Sequence, residues 1–371
     1  MSYTASDIKK TRDFYSRKKD APVLMHEFGY YVLEKWIREG HISDVSDLNK
    51  HCYFDGYGMQ YLGGLGWCEA EFVPIFEQKV IEDRGAYELV HDHAGRHVLC
   101  FKGRRNGFMP EYVDHPVKDR NTWERDVKWR MDPASPDRKI DTAHIAHLRG
   151  LAEQGGMIGQ RVIGGYMYLR SLVGPEGALY LFYDDPGLIH DMMETWFELT
   201  DSVIAKHQEA IAPYKIDELF LAEDNCYNCG PLISPDMLRE FFFPYYQQIM
   251  INMKNRQQGK DFHLHVDTDG DCRPFIPVYQ EICANMFSPF EVASNCDVVA
   301  LRKQYPDLLM RGGFDKRIIA ASKEAIDREV DRIMPFMKAQ GGYVPTCDHG
   351  VPEEVAFEDF IHYRKRLAEY A

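Results

Sequence analysis

The strongest constraint on the fold is a regular alternation of two kinds of segment from about residue 139 to the C-terminus. Short apolar segments with the two-residue period of strands are each followed by a segment with the apolar period of a helix. This alternation predicts a parallel sheet, because parallel strands are joined by helical crossovers. The predicted strands cover residues 157–163, 216–222, 261–267, 283–288, 308–312 and 342–346. The predicted helices cover residues 140–154, 186–212, 274–281, 297–305, 322–339 and 353–369, with a further helix starting at Ser234-Pro235-Asp236.

Seven or eight such units in 371 residues predict an α/β fold of one closed (β/α)8 TIM barrel spanning residues 1–371. An open doubly wound sheet is the alternative, but no Gly-x-Gly-x-x-Gly motif follows an early strand. Residues 1–20 are expected to form an N-terminal helical extension that covers the bottom or side of the barrel. Residues 21–25 are the expected first strand, and residues 31–50 the expected first barrel helix.

An insertion rich in β structure is expected at about residues 70–138. Segments 71–82, 85–92 and 96–102 alternate as strands do, and Asn106-Gly107 is a hairpin signal. Residues 56–66 hold too many glycines for a regular element and are expected to be a loop.

The composition narrows the class of protein. Acidic residues outnumber basic ones by 58 to 44, and a net charge of −14 disfavours nucleic acid and anionic membranes as partners. No apolar stretch reaches the ~18 residues that span a bilayer, and the N-terminal residues lack an apolar signal core. Nine cysteines without a regular spacing indicate reduced thiols, so a cytoplasmic protein is expected.

Ionisable residues and glycines collect where the predicted strands end, which is where barrel enzymes place their active sites. These residues are His26 and Glu27; Gly164 and Gly165; Glu223 and Asp224; His265 and Asp267; Pro289 and Glu291; Gly312, Gly313 and Asp315; and Cys347, Asp348 and His349. Ordinary turns would hold Asn, Asp, Gly and Ser, and would not hold His and Cys so often.

His265 and Asp267 are two residues apart on one predicted strand, which puts both on one face about 6–7 Å apart. Together with Cys347 or His349 they have the N, O and S ligand types of a zinc site. A hydrogen-bonded His/Asp cluster that transfers protons without a metal is an alternative, as is a polar edge strand with one solvated face. Glu223 and Asp224 have two interpretations: an acid/base or substrate-binding pair, or an anchor for the following loop through backbone N–H groups.

Residues 160–371 resemble the uroporphyrinogen decarboxylase superfamily, in particular its branch of corrinoid-linked methyltransferase-like proteins. The motifs that carry this resemblance are Glu223-Asp224, Gly230-Pro231-Leu232-Ile233-Ser234-Pro235, Phe241–Tyr246, His265–Asp271, Gly312-Gly313-Phe314-Asp315-Lys316, Gly341-Gly342-Tyr343-Val344-Pro345 and Asp348-His349-Gly350-Val351-Pro352. The resemblance implies a (β/α)8 barrel with its active site at the C-terminal ends of the strands.

Within this superfamily the resemblance implies methyl transfer rather than porphyrin decarboxylation. Uroporphyrinogen decarboxylases carry an arginine-rich segment after the first strand, whereas residues 25–29 here, Met-His-Glu-Phe-Gly, contain no arginine. The methyltransferase branch binds zinc through a His-x-Cys strand and a later cysteine. Here His265-x-Asp267 takes the first place, and His349, with Cys347 two residues earlier, takes the second.

The leading hypothesis is therefore transfer of a methyl group from a small methylated substrate to a corrinoid carried by a partner protein, with zinc as the assisting metal. The predicted catalytic residues are Glu223, Asp224, His26 and Glu27. The predicted substrate-binding residues are Tyr166, Phe290, Glu291 and Asp315. Two alternatives remain at this point: a decarboxylase that acts on a less anionic acid, and a corrinoid- or ligand-binding protein without catalysis. A homodimer is left open.

Overall fold

A curled, seven-stranded parallel sheet forms the centre of the computed structural model, which describes residues 4–27, 29–103 and 110–371. In chain order the strands of the protein are β1 (Met59–Leu62), β2 (Lys79–Arg84), β3 (Tyr87–His91), β4 (His97–Phe101), β5 (Glu111–Asp114), β6 (Met157–Ile163), β7 (Glu218–Ala222), β8 (Cys226–Tyr227), β9 (Gly230–Pro231), β10 (His263–Asp267), β11 (Ala284–Ser288), β12 (Leu309–Arg311) and β13 (Tyr343–Val344). The central sheet has the order β1-β6-β7-β10-β11-β12-β13, and all of its strand pairs are parallel. The fold is α/β and of the TIM-barrel type, as the alternation predicts.

Helices pack around this sheet. They are α1 (Ala5–Tyr15), α2 (Tyr30–Arg38), α3 (Val45–His51), α4 (Arg120–Thr122), α5 (Thr142–Glu153), α6 (Gly165–Val173), α7 (Pro175–Asp184), α8 (Pro186–Ile211), α9 (Pro235–Phe241), α10 (Phe243–Arg256), α11 (Ile276–Gln280), α12 (Val298–Gln304), α13 (Lys316–Ile319), α14 (Lys323–Gln340) and α15 (Phe357–Ala368). Among the described residues, no helix is long and apolar enough to cross a membrane.

The prediction that residues 21–25 form the first strand is wrong. The segment is extended and its Val23 packs with Met59 of β1 and Val344 of β13, so it occupies the place between the two outer strands of the sheet. The backbone of Leu24 forms its hydrogen bonds with a loop residue and not with a strand. Its N–H donates to the Asp55 carboxylate, and its carbonyl accepts a hydrogen bond from the N–H of Asp55. The barrel is therefore closed on this side by packing and by side-chain hydrogen bonds.

The prediction that residues 56–66 form a loop is also wrong, because β1 lies within them. The glycines lie on both sides of the strand rather than inside it. Gly58 is required by close packing, since a Cβ atom there would lie 2.6 Å from the Cα atom of Ile8 in α1. The glycines thus allow the N-terminal helix to contact the backbone that leads into β1.

Helix α1 covers the bottom of the barrel. Its Phe14 and Tyr15 are buried against the first residues of the strands, including Met59 and Met157. The same cluster contains Met286, Leu309 and Val344 from the other side of the sheet. This apolar layer fills the lower interior and leaves the polar inward-facing residues above it.

The predicted insertion contains a four-stranded antiparallel sheet with the order β2-β3-β4-β5. The first of its strands starts at Lys79, later than the predicted segment 71–82, and β5 was not predicted. The predicted Asn106-Gly107 turn lies outside the described residues. The helix predicted for residues 31–50 is divided into α2 and α3, because Asp44 caps a new helix start through the N–H of Ser46.

Gly159 and Gly150 provide a matched test of interior packing. Gly159 faces the barrel interior, where an added Cβ atom would lie 2.6 Å from the ring of Tyr61, whereas nothing lies within 4 Å of a Cβ atom added at Gly150 in α5. We expect Gly159→Ala to lower the free energy of unfolding by about 1–3 kcal/mol, since overpacking a core displaces its neighbours. Gly150→Ala should raise it by up to about 1 kcal/mol, because alanine favours a helix over glycine. Urea unfolding measures both, and equal effects of the two substitutions would contradict the packing described here.

Candidate functional site

A buried carboxylate, Glu218, lies at the base of a polar network inside the barrel. It accepts hydrogen bonds from the hydroxyl groups of Tyr15 and Tyr61, the latter at 2.6 Å, and its Oε1 lies 3.4 Å from Nδ1 of His265. Burial alone would raise the pKa of Glu218, but the facing His265 and the two tyrosine hydroxyls lower it to about 2. Glu218 is therefore a fixed negative charge that orients the groups above it.

The network continues upward from His265 to the mouth of the barrel. The Ser288 hydroxyl donates to the Asp267 carboxylate, so Nε2 of His265, at 2.8 Å from Ser288 Oγ, is the donor in that contact. Arg311 donates to Ser288 Oγ at 3.1 Å and to Oδ2 of Asp267 at 3.4 Å. The side chains of Asp267 and Arg311 are each 22% exposed, so the upper end of the network is open to a ligand.

The structure does not bring the four predicted zinc ligands together. His265 has both ring nitrogens engaged by Glu218 and Ser288, and Asp267 is engaged by Ser288 and Arg311. Cys347 is buried, and burial raises the pKa of its thiol well above the ordinary value, the opposite of what a thiolate ligand needs. Within residues 4–27, 29–103 and 110–371, no group of three or more His, Cys, Asp or Glu side chains is placed to hold a metal ion. The residues present therefore do not fit the zinc centre proposed from the sequence.

His349, the fourth predicted ligand, lies on the loop after β13 and faces a carboxylate. Its Nε2 is 3.4 Å from Oδ2 of Asp269, and its side chain is 52% exposed. The Asp269 carboxylate raises the pKa of His349 above its ordinary value, against a smaller lowering by burial and by the Lys316 charge. His349 is thus an accessible imidazole that keeps its proton to a higher pH than a free histidine does.

His26 and Glu27 contact different parts of the chain beside the N-terminal segment. The Glu27 carboxylate accepts the N–H of Cys347 and forms an ion pair with the buried Arg364. His26 packs against Phe54, with ring centroids 4.2 Å apart, and burial, with the Arg364 charge, lowers its pKa to about 4. His26 is therefore neutral near pH 7, and Glu27 joins two parts of the chain that close the barrel.

Glu223, the predicted proton carrier, is fully buried at the end of β7. It accepts hydrogen bonds from the hydroxyl groups of Tyr246 and Tyr279, the latter at 3.0 Å, and from the N–H of Tyr166 at 3.2 Å. Burial raises its pKa to about 7, against the lowering effect of these donors. The contact with the Tyr166 N–H, in the first turn of α6, ties the end of β7 to α6, which differs from the second interpretation, an anchor for the loop that follows Glu223.

Asp224 is the accessible member of the predicted Glu223-Asp224 pair. Its Oδ2 forms an ion pair with Arg170 at 2.5 Å, and its side chain is 25% exposed. Burial, and then the nearby charges of Asp269 and Asp267, raise the pKa of Asp224, whereas Arg170 lowers it. Arg170 also lines a cavity of about 120 Å³ between α6 and the insertion, together with Cys68, Arg96, Tyr112, His115, Met167, Ser171 and Pro175.

The four predicted substrate-binding residues are engaged to different degrees. Tyr166 is fully buried, and its hydroxyl has no hydrogen-bond partner among the described residues; burial raises its pKa to about 12. Phe290 is buried as well. Glu291 accepts the Gly270 N–H at 2.9 Å and lies 3.4 Å from Nζ of Lys316. Asp315 caps α13 and pairs with Arg317, which is a structural role.

Sequence reasoning missed four charged residues of the mouth and its surroundings: Arg161, Arg170, Asp269 and Arg311. Two of them had a signal in the sequence. Arg161 lies within the mostly apolar strand Met157–Ile163, and Arg311 ends the strand Leu309–Arg311, both at inward-facing positions. A lone cation in such a strand must face either a partner or a ligand. Asp269 and Arg170 had no comparable signal in the sequence, because acidic residues in turns and arginines in helices are common.

The ionisation of Glu223 can be tested through stability. Its pKa of about 7 lies above the ordinary value of a glutamate carboxyl, 4.5, so its protonated form favours the folded state. The stabilisation is complete below about pH 4.5 and is lost as the pH rises through 7. We expect the wild type to lose free energy of unfolding relative to Glu223→Gln over this range, by on the order of 3 kcal/mol. Denaturant unfolding at several pH values measures this, with the surface substitution Glu281→Gln as the control. Parallel pH profiles for wild type and Glu223→Gln would contradict the buried, raised-pKa carboxyl.

Three comparisons with known proteins bear on this fold and site. The model of the uroporphyrinogen decarboxylase (URO-D) family matches residues 145–370. Among solved structures, a methyltransferase from Methanosarcina mazei matches with a TM-score of 0.57 and 13% sequence identity, and the match covers 100% of both chains. At this identity the likeness shows a common fold. In the comparison with curated proteins, no sequence matches. Because the family model covers more than half of the chain, and β6, β7 and β10–β13 all lie within the match, this chain belongs to the URO-D family.

Proposed function

We propose that this protein is a methyltransferase that moves a methyl group from a small methylated substrate to a corrinoid carried by a partner protein. Membership of the URO-D family and a fold shared with a methyltransferase support an enzyme of this general kind. The corrinoid partner is proposed from the motifs of residues 160–371 that resemble the corrinoid-linked branch. The observation that carries the proposal is the accessible, proton-holding His349–Asp269 pair at the mouth of the barrel.

Methyl transfer creates a need for a proton at the substrate. When the methyl group leaves its oxygen, nitrogen or sulfur atom, both electrons of the broken bond stay on that heteroatom, which gains negative charge. A general acid within hydrogen-bond reach stabilises this charge by donating its proton. A corrinoid bound to the partner would supply the atom that accepts the methyl group, while this chain would bind and orient the methyl donor.

His349 is the residue best placed to donate that proton. It is half exposed, and Asp269 holds it in the protonated form to a higher pH than usual. Its other charged neighbours are Lys316 and Glu291, which act on its pKa in opposite directions. After the proton has left, the Asp269 carboxylate orients the neutral ring for reprotonation by water.

The remaining predicted catalytic residues would act through position. Glu223 is fully buried and holds Tyr166, Tyr246 and Tyr279 together, so a substrate would not touch it without displacing them. We propose Glu223 as a positioning residue for the start of α6. Glu27 would have the same role for the loop that carries His349, and the four residues predicted as zinc ligands carry no metal-dependent step.

The proposal is tested with the purified protein, excess free cob(I)alamin and a panel of aryl methyl ethers, methylamines and methyl thioethers. We expect at least one donor to convert cob(I)alamin to methylcobalamin, followed by the change in absorbance, with release of the demethylated product. Failure with every donor, together with release of CO₂ from a carboxylic acid, would instead establish the decarboxylase alternative.

Substitution of His349 tests its role as the acid. We expect His349→Asn to lower the rate of methyl transfer by about 100-fold or more, which is the usual contribution of a general acid. In the wild type the rate should fall as the pH rises through the raised pKa of His349. In Asp269→Asn this fall should begin at a lower pH, because the carboxylate that raises the pKa is absent.

A matched control is His362→Asn. His362 also faces an aspartate, Asp327, at 2.8 Å, but it lies on α15 in the outer helical layer. We expect His362→Asn to leave the rate of methyl transfer and its pH profile unchanged. An unaltered pH profile in Asp269→Asn would refute the assignment of His349.

A further inference from the structure

Arg161 is a cation inside the barrel that no carboxylate of the described residues neutralises. It lies on β6 at an inward-facing position, with Phe220 of β7 as its neighbour in register. Its guanidinium carbon lies 4.7 Å from the ring centroid of Trp67, 4.9 Å from that of Tyr61 and 5.3 Å from that of Phe220. The group is half-buried. Among the described residues, none forms an ion pair with it.

The aromatic rings stabilise the charge of Arg161 but leave its hydrogen-bond donors unused. A guanidinium has five N–H donors in its own plane, and stacked rings cover its faces, not its edges. Its Nε atom is buried without a hydrogen-bond partner in the part of the chain that the structure describes. A buried, unsatisfied donor costs about 1–3 kcal/mol, so its presence points to an acceptor that a ligand brings.

A second cation contacts the same aromatic ring. The guanidinium carbon of Arg311 lies 5.9 Å from the centroid of Phe220, so Arg161 and Arg311 both contact that side chain. Among the described residues that face the interior, the carboxylate of Asp267 pairs with Arg311, and that of Glu218 accepts hydrogen bonds from two tyrosines and faces His265. Both carboxylates are thus engaged by other groups, and the charge of Arg161 is left for a carboxylate that a ligand brings.

The shape of the surroundings favours a flat ligand. Trp67 is 51% exposed, and its ring lies against Arg161 at the open end of the interior. An aromatic ring of a ligand can stack on such a surface in an offset or edge-to-face arrangement. The fork of a guanidinium matches the two oxygens of a carboxylate.

We propose that Arg161 binds the carboxylate of a planar organic monocarboxylic acid, with the exposed Trp67 against its ring. As a binding site, this proposal rests on the geometry around Arg161. The further claim, that Arg161 anchors the methyl donor, rests in addition on the proposed function. The donor would be a flat, methylated monocarboxylate that Arg161 holds by its carboxylate while its methyl group faces the mouth of the barrel.

The test uses benzoate as the probe and benzamide as its neutral match, with binding measured by calorimetry and by quenching of tryptophan fluorescence. We expect benzoate to bind at least tenfold more tightly than benzamide. Arg161→Met should weaken benzoate binding at least tenfold and leave benzamide binding within twofold. Arg161→Lys keeps the charge and should retain part of the preference, and circular dichroism checks that both variants are folded.

Arg149→Met is the matched control. Arg149 also lies over an aromatic ring, that of Tyr214 at 5.9 Å, but it is on α5 in the outer layer. We expect Arg149→Met to bind benzoate as tightly as the wild type does. Equal binding of benzoate and benzamide, or equal binding of benzoate by the wild type and Arg161→Met, would overturn the proposal.

The two proposals fail in different ways. Arg161-dependent benzoate binding without methyl transfer from any donor would leave the carboxylate site in place and remove the proposed function. Methyl transfer from a methylated monocarboxylate at a rate that Arg161→Met does not change would support the function and overturn the anchoring role.

Discussion

The arrangement of the barrel interior depends on one buried charge, that of Glu218. A carboxylate removed from water is costly unless several donors replace the solvent, and here two tyrosine hydroxyls do so while a facing imidazole supplies a third polar contact. These neighbours come from α1, β1 and β10, which are far apart in the chain. The requirement to satisfy this carboxylate therefore aligns three elements and fixes the orientation of His265. The order of the groups above, from Ser288 to Arg311, follows from that orientation.

A division of the interior into a fixed lower part and an adaptable upper part follows from this alignment. Below His265, Glu218 is held by protein groups, and the side chains of Glu218 and His265 are fully buried. Above it, Asp267 and Arg311 are partly exposed, and His349 and Asp269 more so. Rigid groups below and accessible groups above are what binding and proton transfer require, because a preorganised site need not rearrange when its ligand arrives.

The sequence predicts the fold well for a physical reason that does not extend to the site. The alternation of apolar periods is a local property, so strands such as β6 and helices such as α8 could be predicted with small errors at their ends. The two-residue period of strands also identified His265 and Asp267 as inward-facing residues of one strand. It could not identify their partners, because Tyr15, Glu218 and Ser288 reach these side chains from other elements. From their residue types alone, His265 and Asp267 suggested a zinc site. In the structure, their nitrogen and oxygen atoms form hydrogen bonds with these partners instead. The first strand was mistaken for similar reasons: the glycines around Met59–Leu62 are explained by the contact of Gly58 with α1, which no local pattern contains.

The segment that occupies the eighth position of the barrel gives the molecule a seam. Between residues 21–27 and the neighbouring strands, the described contacts are packing and side-chain bonds, such as those of Glu27 with Arg364 and with the Cys347 backbone, instead of a continuous ladder. Ladders open cooperatively, whereas a few side-chain contacts separate one at a time. We therefore expect opening motions of the barrel to be concentrated along this seam, which reaches the same end of the barrel as the loop that carries His349. In the proposed reaction, the mouth where the methyl donor and the partner's corrinoid would meet can widen along this seam without disturbing the Glu218–His265 network below it.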